Sequence, residues 1–314
     1  MATSAIGRSD ADALIPKPIA QDILRGVRQQ SAALATFRSV EMSTKTYSMP
    51  ALTALPMAYF VNGDTGIKQT SKAAWGSKTI VAEELACIVP VPEAVIDDAQ
   101  YDIIAETKPL IVEAIGRAID AAIFFGANAP ASWTDANIVG KAVAAGNTVT
   151  RGTAAQNAGG LATDLGNVLA SVEEDGYDPT AFIASRGERR YLRNARNTLG
   201  ERYRDTVSLK EVHETPITYA MRGLWPTGSG AAEVIAVSGD SGIVGLRQDI
   251  RWKLLTEAVI QDPITGEIMY NLPQQDMVAL RCTFRLGWVM AAPITPEGNL
   301  ATGNTYPTAV LVAP

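Results

Sequence analysis

The sequence predicts an α+β fold. Helical periodicities fill the middle of the chain, and extended patterns dominate from residue 216 onward. The two do not alternate as βαβ units would. One helix is written plainly: Ile104, Ile111, Ile115, Ile119 and Ile123 recur at spacings of four and seven, with Ala118 and Ala122 filling in. Residues 49–86 read instead as a long hairpin with little core of its own. No internal repeat or low-complexity tract interrupts this order.

Residues 1–48 are polar and mixed in sign. In LIPKPIAQDILRGVRQQSAALATFRSVEM, Pro16 and Pro18 favour an extended lead-in. Ile19, Ile23, Val27 and Ala33–Leu34 then give a short helical stretch a rough apolar stripe. An arm of this kind is either without fixed structure or docked on something else. Residues 49–86, MPALTALPMAYFVNGDTGIKQTSKAAWGSKTIVAEELA, hold a turn signal at Asn62–Gly66 between two extended runs. An isolated hairpin is marginal in water. With Phe60 and Trp75 near its tip, this one calls for cover by a partner surface.

In IVPVPEAVIDDAQYDIIAETKPLIVEAIGRAIDAAIFFG, residues 88–126, Asp97 or Asp98 is expected to cap a helical turn ahead of the isoleucine run. Pro109 is expected to start a second segment or kink the first, and Gly126 to stop it. Residues 127–158 are rich in Ala, Gly, Asn and Thr and show no pattern beyond a small hairpin at VAAGNTVTRG. GLATDLGNVLASVEEDGY is a second amphipathic helix, with Leu161, Leu165, Val168, Leu169 and Val172 on one face. DPTAFIAS is a short strand, and RGERRYLRNARNTLGERYRD a third, arginine-rich helix. The strands ITYAMRG, AEVIAVSG, SGIVGLRQDIRWKLLTEA and EIMYNLPQQDMVALRCTFRLGWVMAAPITPEG follow. In the last, Arg281 and Arg285 alternate against apolar neighbours.

The 314 residues carry a net charge of −6, which argues against a protein whose whole surface grips nucleic acid and leaves room for a locally basic face. The N-terminus has no apolar core of a signal peptide, and no apolar run is long enough to span a bilayer. The chain is expected to stay in the cytoplasm where it is made. Cys87 and Cys282 sit in apolar, β-rich runs without metal spacing, so both read as reduced, buried thiols.

SGDSGIVG, residues 238–245, looks like the surroundings of a nucleophilic serine. A serine nucleophile needs a base within hydrogen-bond reach and donors for an oxyanion. The sole histidine, His213, lies shortly before Ser241 rather than far upstream, and Ile243 stands where both serine-hydrolase patterns need glycine. Gly239-Asp240-Ser241-Gly242 therefore reads as a tight turn between strands. His213 has no His or Cys partner for zinc. The carboxylate pairs Glu83–Glu84, Asp97–Asp98 and Glu173–Glu174–Asp175 are solvated faces and caps, and LWPTGSGAAE lacks the lysine of a phosphate loop. No enzyme activity and no cofactor or metal is expected. Arg186, Arg189, Arg190, Arg193, Arg196, Arg202 and Arg204 form a cluster diluted by Glu188, Glu201 and Asp205. A solvated face, a salt-bridging surface between subunits and a nucleic-acid contact all remain open for it.

The order of these segments resembles the major capsid proteins of tailed bacteriophages, with the Hong Kong 97 fold. QQSAALATFRSVEM resembles the N-arm of that family, and MPALTALPMAYFVNGDTGIKQTSKAAWGSKTI its extended E-loop. VPVPEAVIDDAQYDIIAETKPLIVEAIGRAIDAAIFFG resembles the run into its spine helix. GLATDLGNVLASVEEDGYDPTAFIAS resembles an axial-domain helix and strand, and DMVALRCTFRLGWVMAAP the long closing strands. The resemblance implies an N-arm at 1–48, an E-loop hairpin at 49–86 and a peripheral domain with spine helix at 87–126. It further implies an axial domain at 127–240, peripheral strands at 241–285 and a return to the axial domain at 286–314.

The function implied is mechanical: a virion shell of hexamers and pentamers of this chain, closed by heterologous contacts and strengthened by avidity. The expected subunit interface takes in Arg25, Arg28, Phe60, Lys68, Lys72, Trp75, Arg189 and Arg193. Expected partners are a separate scaffolding protein or none, since the arm begins almost at Met1, with a portal, a decoration protein in some shells of this kind, and non-specifically held double-stranded DNA. The resemblance implies no membrane partner, and assembly in the host bacterial cytoplasm. Some members of the family weld E-loop lysines to an asparagine of a neighbour. The candidates here are Lys68 or Lys72 with Asn271, and Glu267 or Glu257 as base. Such a lysine must lose its proton, which needs burial beside a carboxylate. An encapsulin-like compartment shell shares the fold, a hydrolase built on Ser241 is the reading from another class, and a tail tube or sheath would form open helices instead.

Overall fold

The computed structural model describes residues 31–61, 67–99, 102–196, 198, 201, 207–221, 223–262, 265–296 and 305–314. In chain order these form α1 (Ala32–Thr36), β1 (Arg38–Glu41), β2 (Thr46–Ala54), β3 (Ala74–Pro92), α2 (Glu93–Asp98), α3 (Ile103–Phe125), α4 (Ile138–Ala145) and β4 (Thr148–Thr150). There follow α5 (Leu161–Glu174), β5 (Ala181–Ala184), α6 (Glu188–Asn194), β6 (Glu211–Val212), β7 (Thr215–Tyr219), β8 (Ala232–Val237) and β9 (Gly242–Leu255). The chain finishes with β10 (Val259–Gln261), β11 (Ile268–Asn271), β12 (Met277–Met290) and β13 (Thr308–Val312). The Asn62–Gly66 turn, Arg25, Arg28, Arg202 and Arg204 lie outside the described residues.

Contacts divide the described residues into two units, one of 84–115 with 248–285 and one of 31–83, 116–247 and 286–314. In the larger unit a six-stranded sheet runs β4-β13-β8-β5-β7-β6. Its register includes Ile183↔Ile235 and Leu311↔Val234, all buried. α5 lays Leu165, Val168, Leu169 and Val172 against Phe182, Ala184, Val234, Ala236, Ala309 and Leu311. These are the i, i+3, i+4, i+7 positions of an amphipathic helix, and each buried aliphatic chain contributes about 1.5–3 kcal/mol. β1, β9, β12, β3 and β2 form a second sheet in that order. β1 pairs in parallel with β9 from Arg38↔Ile243 to Glu41↔Leu246. In the smaller unit β10 and β11 make an antiparallel ribbon, Val259↔Asn271.

α3 is one helix through Pro109, where a break or kink is expected from sequence. Proline removes the bond to the Ala105 carbonyl and costs about 3 kcal/mol in a helix interior. Ile111, Val112, Ile115, Ile119 and Ile123 are all buried downstream, and their summed burial outweighs that loss. The cap is also elsewhere. Asp97 and Asp98 end α2, whereas Asp102 Oδ1 accepts the Ala105 N–H at 3.0 Å. Only Asp102 stands one residue before the first helical position, from which a carboxylate reaches that donor. At the other end Gly126 has φ 69°, and the Ala127 N–H bonds to the Ala121 carbonyl at 3.1 Å. This closure needs a left-handed residue, which glycine supplies freely.

Residues 127–158 are more ordered than their composition suggests. Asn137 Oδ1 accepts from the Gly140 N–H at 3.0 Å and starts α4, which buries Ile138 and Ala142. VAAGNTVTRG is not a hairpin: β4 pairs in parallel with β13, Thr148↔Val310. The partner is remote in sequence, so no local turn signal announces it. The arginine-rich helix is shorter than expected. α6 ends at Asn194, because Ala195 is extended with ψ 119°, and Arg186 and Arg196 lie outside it.

Candidate functional site

The β2–β3 hairpin has a fixed root and a bare tip. β2 runs antiparallel to β3 from Thr46↔Val81 to Leu52↔Trp75, with an irregularity before Ala54↔Ala74. At the root, Ile80 and Ala82 pack with Met42, Ile243 and Val289. Trp133 Nε1 donates to the Val81 carbonyl at 3.1 Å, and Ser132 Oγ to Glu83 at 2.8 Å. The Asp135 carboxylate bridges Lys78 at 3.3 Å and Lys141 at 2.9 Å. Beyond Ala54 the described residues leave the ladder. The Met57 N–H donates to Ser71 Oγ at 2.6 Å, and the Tyr59 hydroxyl donates to the Gln69 carbonyl. These bonds hold the two limbs of the tip together but bury nothing. Phe60 is fully exposed, and Ile67, Trp75 and Met57 are largely so. Covering a bare Phe side chain is worth about 1.5–3 kcal/mol. Such a cluster on a rigid root marks an interaction surface.

Lys68 and Lys72, on the same tip, are exposed. In the smaller unit Asn271 is half-buried, with Nδ2 donating to Gln274 Oε1 at 2.8 Å, and Glu267 is exposed. Within one subunit neither lysine has the burial that amide attack requires.

The arginine cluster is ordered by aromatic rings. Arg189 Cζ lies 4.2 Å from the Tyr219 ring centre, and Arg190 donates to the Tyr191 hydroxyl at 2.6 Å. Arg151 stacks on Tyr191 at 3.9 Å and grips Glu233 with two bonds of 2.5 and 2.9 Å. Glu188 is buried beside them, and that burial, with Glu233 adding, pushes its carboxyl up to about 7 against the pull of Arg151 and Arg190. Arg186, Arg189, Arg190 and Arg193 line an open cleft of about 590 Å³. Arg151, Arg189 and Arg190 are thus held against aromatic rings, and Arg151 also against a carboxylate.

The SGDSGIVG turn has the geometry of a strand connection. The Ser241 N–H donates to the Ser238 carbonyl at 3.1 Å, and Ser241 Oγ, buried, meets Ser238 Oγ at 3.3 Å. The Ser241 carbonyl accepts from the Ala291 N–H at 2.7 Å. His213 is engaged elsewhere, with Nε2 at 2.7 Å from the Ala162 carbonyl. Among the described residues no group of three or more His, Cys, Asp or Glu is placed to hold a metal.

Sequence reasoning passes over two acidic anchors, Asp120 and Asp164, and reads a third, Asp175, only as part of a solvated face or cap. Asp120 accepts from Ser31 Oγ (2.6 Å), Ala32 N–H (2.9 Å) and Ala33 N–H (3.0 Å), tying the start of α1 to α3. Asp164 accepts from Gly152 and Ala154 N–H at 2.7 and 2.8 Å. Asp175 accepts from Asn147 Nδ2 and Tyr306 N–H at 2.7 and 2.8 Å. The available signal was an acidic residue inside an apolar helical run, as Asp120 stands between Ile119 and Ile123.

Residues 11–293 match the profile of the Phage capsid family. The chain is similar to the major capsid protein of Staphylococcus phage 80alpha, with 26% identity over 276 residues, covering 86% of this chain and 78% of that protein. Among solved structures, a chain of Microbacterium phage Oxtober96 is 37% identical with a TM-score of 0.77, covering 99% of this chain and 100% of that one. A chain of Mycobacterium phage Adephagia is 31% identical with a TM-score of 0.78, covering 99% of both chains.

Proposed function

Because the chain belongs to the phage capsid family, we propose that its copies assemble as hexamers and pentamers into an icosahedral shell around double-stranded DNA. Its role in the virion is structural, as a capsid protein that associates with itself into a multimeric shell. The bare hairpin tip carries the assembly reading: Phe60, Ile67 and Trp75 stand in water on a root that packing and ion pairs hold still. In the shell the hairpin serves as the E-loop and lies over a neighbouring subunit, with Lys68 and Lys72 at the same contact. Arg189 and Arg193 meet a further subunit, and Arg25 and Arg28 in the arm reach another.

The peripheral domain corresponds to residues 87–126, with α3 as the spine helix, together with 241–285. The axial domain corresponds to 127–240 with the return at 286–314. The grouping of 84–115 with 248–285 supports the main part of this division, while 116–126 and 241–247 group with the larger unit. Assembly proceeds in the host cytoplasm with a separate scaffolding protein, a portal and a decoration protein, and packaged DNA is held without sequence reading. The exposed tip lysines favour non-covalent contacts, so mature shells boiled in SDS should run as a single subunit band. A ladder of multimers would instead point to a Lys68 or Lys72 linkage to Asn271 with Glu267 as base.

Negative-stain electron microscopy of the purified protein, alone and with a scaffold candidate, tests the assembly reading. Closed particles or capsomer rings are expected, and a persistent monomer under all conditions would overturn it.

A further inference from the structure

β3 and β12 are hydrogen-bonded neighbours, and two contacts fix how they run. Just past the end of β3, the N–H of Glu93, the first residue of α2, donates at 2.9 Å to the carbonyl of Asp276, the residue before β12. Further along, Glu84 accepts from Arg285 Nε and Nη2 at 2.8 and 2.6 Å. In an antiparallel ladder the numbers of facing residues have a constant sum, and both contacts give the same one (93 + 276 = 369, 84 + 285 = 369). Cys87 and Cys282 lie between these contacts and have that sum too (87 + 282 = 369). The two thiols therefore face each other across adjacent strands. Pro90 and Pro92 fit the same phase, because their missing N–H groups fall at positions that make no bond to β12.

We propose that Cys87 and Cys282 are a reversible oxidation site that closes an intrachain disulfide between β3 and β12. Counting from Glu93, they form a hydrogen-bonded pair, for which Cα atoms are about 5.5 Å apart, inside the range a disulfide bridges. Their Cβ atoms start somewhat wider than a relaxed disulfide prefers, so the bond that forms is strained and easily reduced.

The oxidant is a low-molecular-weight disulfide. The half-buried Cys87 thiolate attacks one of its sulfur atoms, forming a mixed disulfide and releasing one small thiolate. The buried Cys282 thiolate then attacks the Cys87 sulfur, forming the protein disulfide and releasing the second. The two protons lost by the protein end on the two released thiols. Burial pushes the Cys87 thiol up and, with Cys87 nearby, the Cys282 thiol up to about 12. Both thus stay protonated near neutrality, and the pair remains reduced until an oxidising medium acts on it for long.

The test is to incubate the purified protein with oxidised glutathione, unfold it in excess N-ethylmaleimide and weigh the intact chain. A chain lighter by two hydrogens and free of maleimide is expected, and digestion should yield the Cys87 peptide joined to the Cys282 peptide. Mild reductant should restore two maleimide sites. Cys87→Ser, at a half-buried position, should take up one maleimide whatever the oxidant. Two maleimides on the oxidised wild type, a glutathione adduct persisting on Cys87, or a disulfide between two chains would each overturn the proposal.

Discussion

Asp120 in the middle of α3 accepts a 2.6 Å hydrogen bond from the Ser31 hydroxyl, and both residues are buried. The same carboxylate takes the first N–H groups of α1, so it caps a short helix from outside. Ser31 Oγ also accepts from the Leu34 N–H at 3.2 Å, completing the cap from within. Asp120→Ala should leave three buried donors without an acceptor and cost roughly 3–5 kcal/mol. Asp120→Asn keeps one oxygen and should cost about half as much. Urea unfolding of the purified protein measures both, and equal midpoints for Asp120→Ala and wild type would contradict this role.

The pH dependence follows from the same burial. The Asp120 carboxyl is pushed up to about 6 and that of Glu188 to about 7. A carboxyl raised in the folded state binds its proton more tightly folded than unfolded. Its stabilising effect is full below the unfolded value and fades as pH rises through the folded one. For Glu188 that window runs from about 4.5 to about 7. Glu188→Gln should therefore gain on wild type in thermal midpoint as pH rises across the window. Parallel midpoints for the two proteins from pH 4.5 to 8 would rule this out.

Phe60 and Trp75 make their contacts outside the subunit. Phe60→Ala and Trp75→Ala should leave subunit stability within about 0.5 kcal/mol of wild type, since exposed side chains add little to folding. Assembly should suffer far more, with particle yield reduced at least tenfold, because one lost anchor of about 1.4 kcal/mol is repeated at every copy of the contact. Sedimentation of assembly reactions reads the yield. Normal particles from the double variant would remove the hairpin tip from the interface.

Ser241→Ala should assemble normally and lose about 1 kcal/mol of stability at most, the value of its bond to Ser238. A fluorophosphonate probe should leave wild type unlabelled, as Ser241 is buried and His213 is bound to Ala162. Labelling that disappears in Ser241→Ala would reopen a hydrolytic role.

Much of the fold was legible because its signals are local. The isoleucines of α3, the leucines and valines of α5 and the glycine after Phe125 each act over a few residues, and each stands where its pattern placed it. The bare hairpin was also legible, since two large aromatics beside a turn signal have no nearby apolar partner. Pro109 does not start a separate segment, because the proline penalty is local while the burial that outweighs it comes from residues further along the helix. Thr148–Thr150 and Ala195 misled for a related reason. The first finds its partner in β13, and the second leaves the helix without a glycine or proline to announce it.

The sequence by itself determined an α+β chain with one long apolar helix, an uncovered hairpin and a serine turn whose only imidazole stands close upstream of it. These follow from residue type and spacing, which act over one or two turns of helix or strand. Tertiary structure decided that Asp120 holds Ser31, that Asp135 holds the hairpin root through Lys78, and that Cys87 faces Cys282. Each joins positions far apart in the chain. Whether such groups meet depends on strand register and helix placement, which the whole core sets at once.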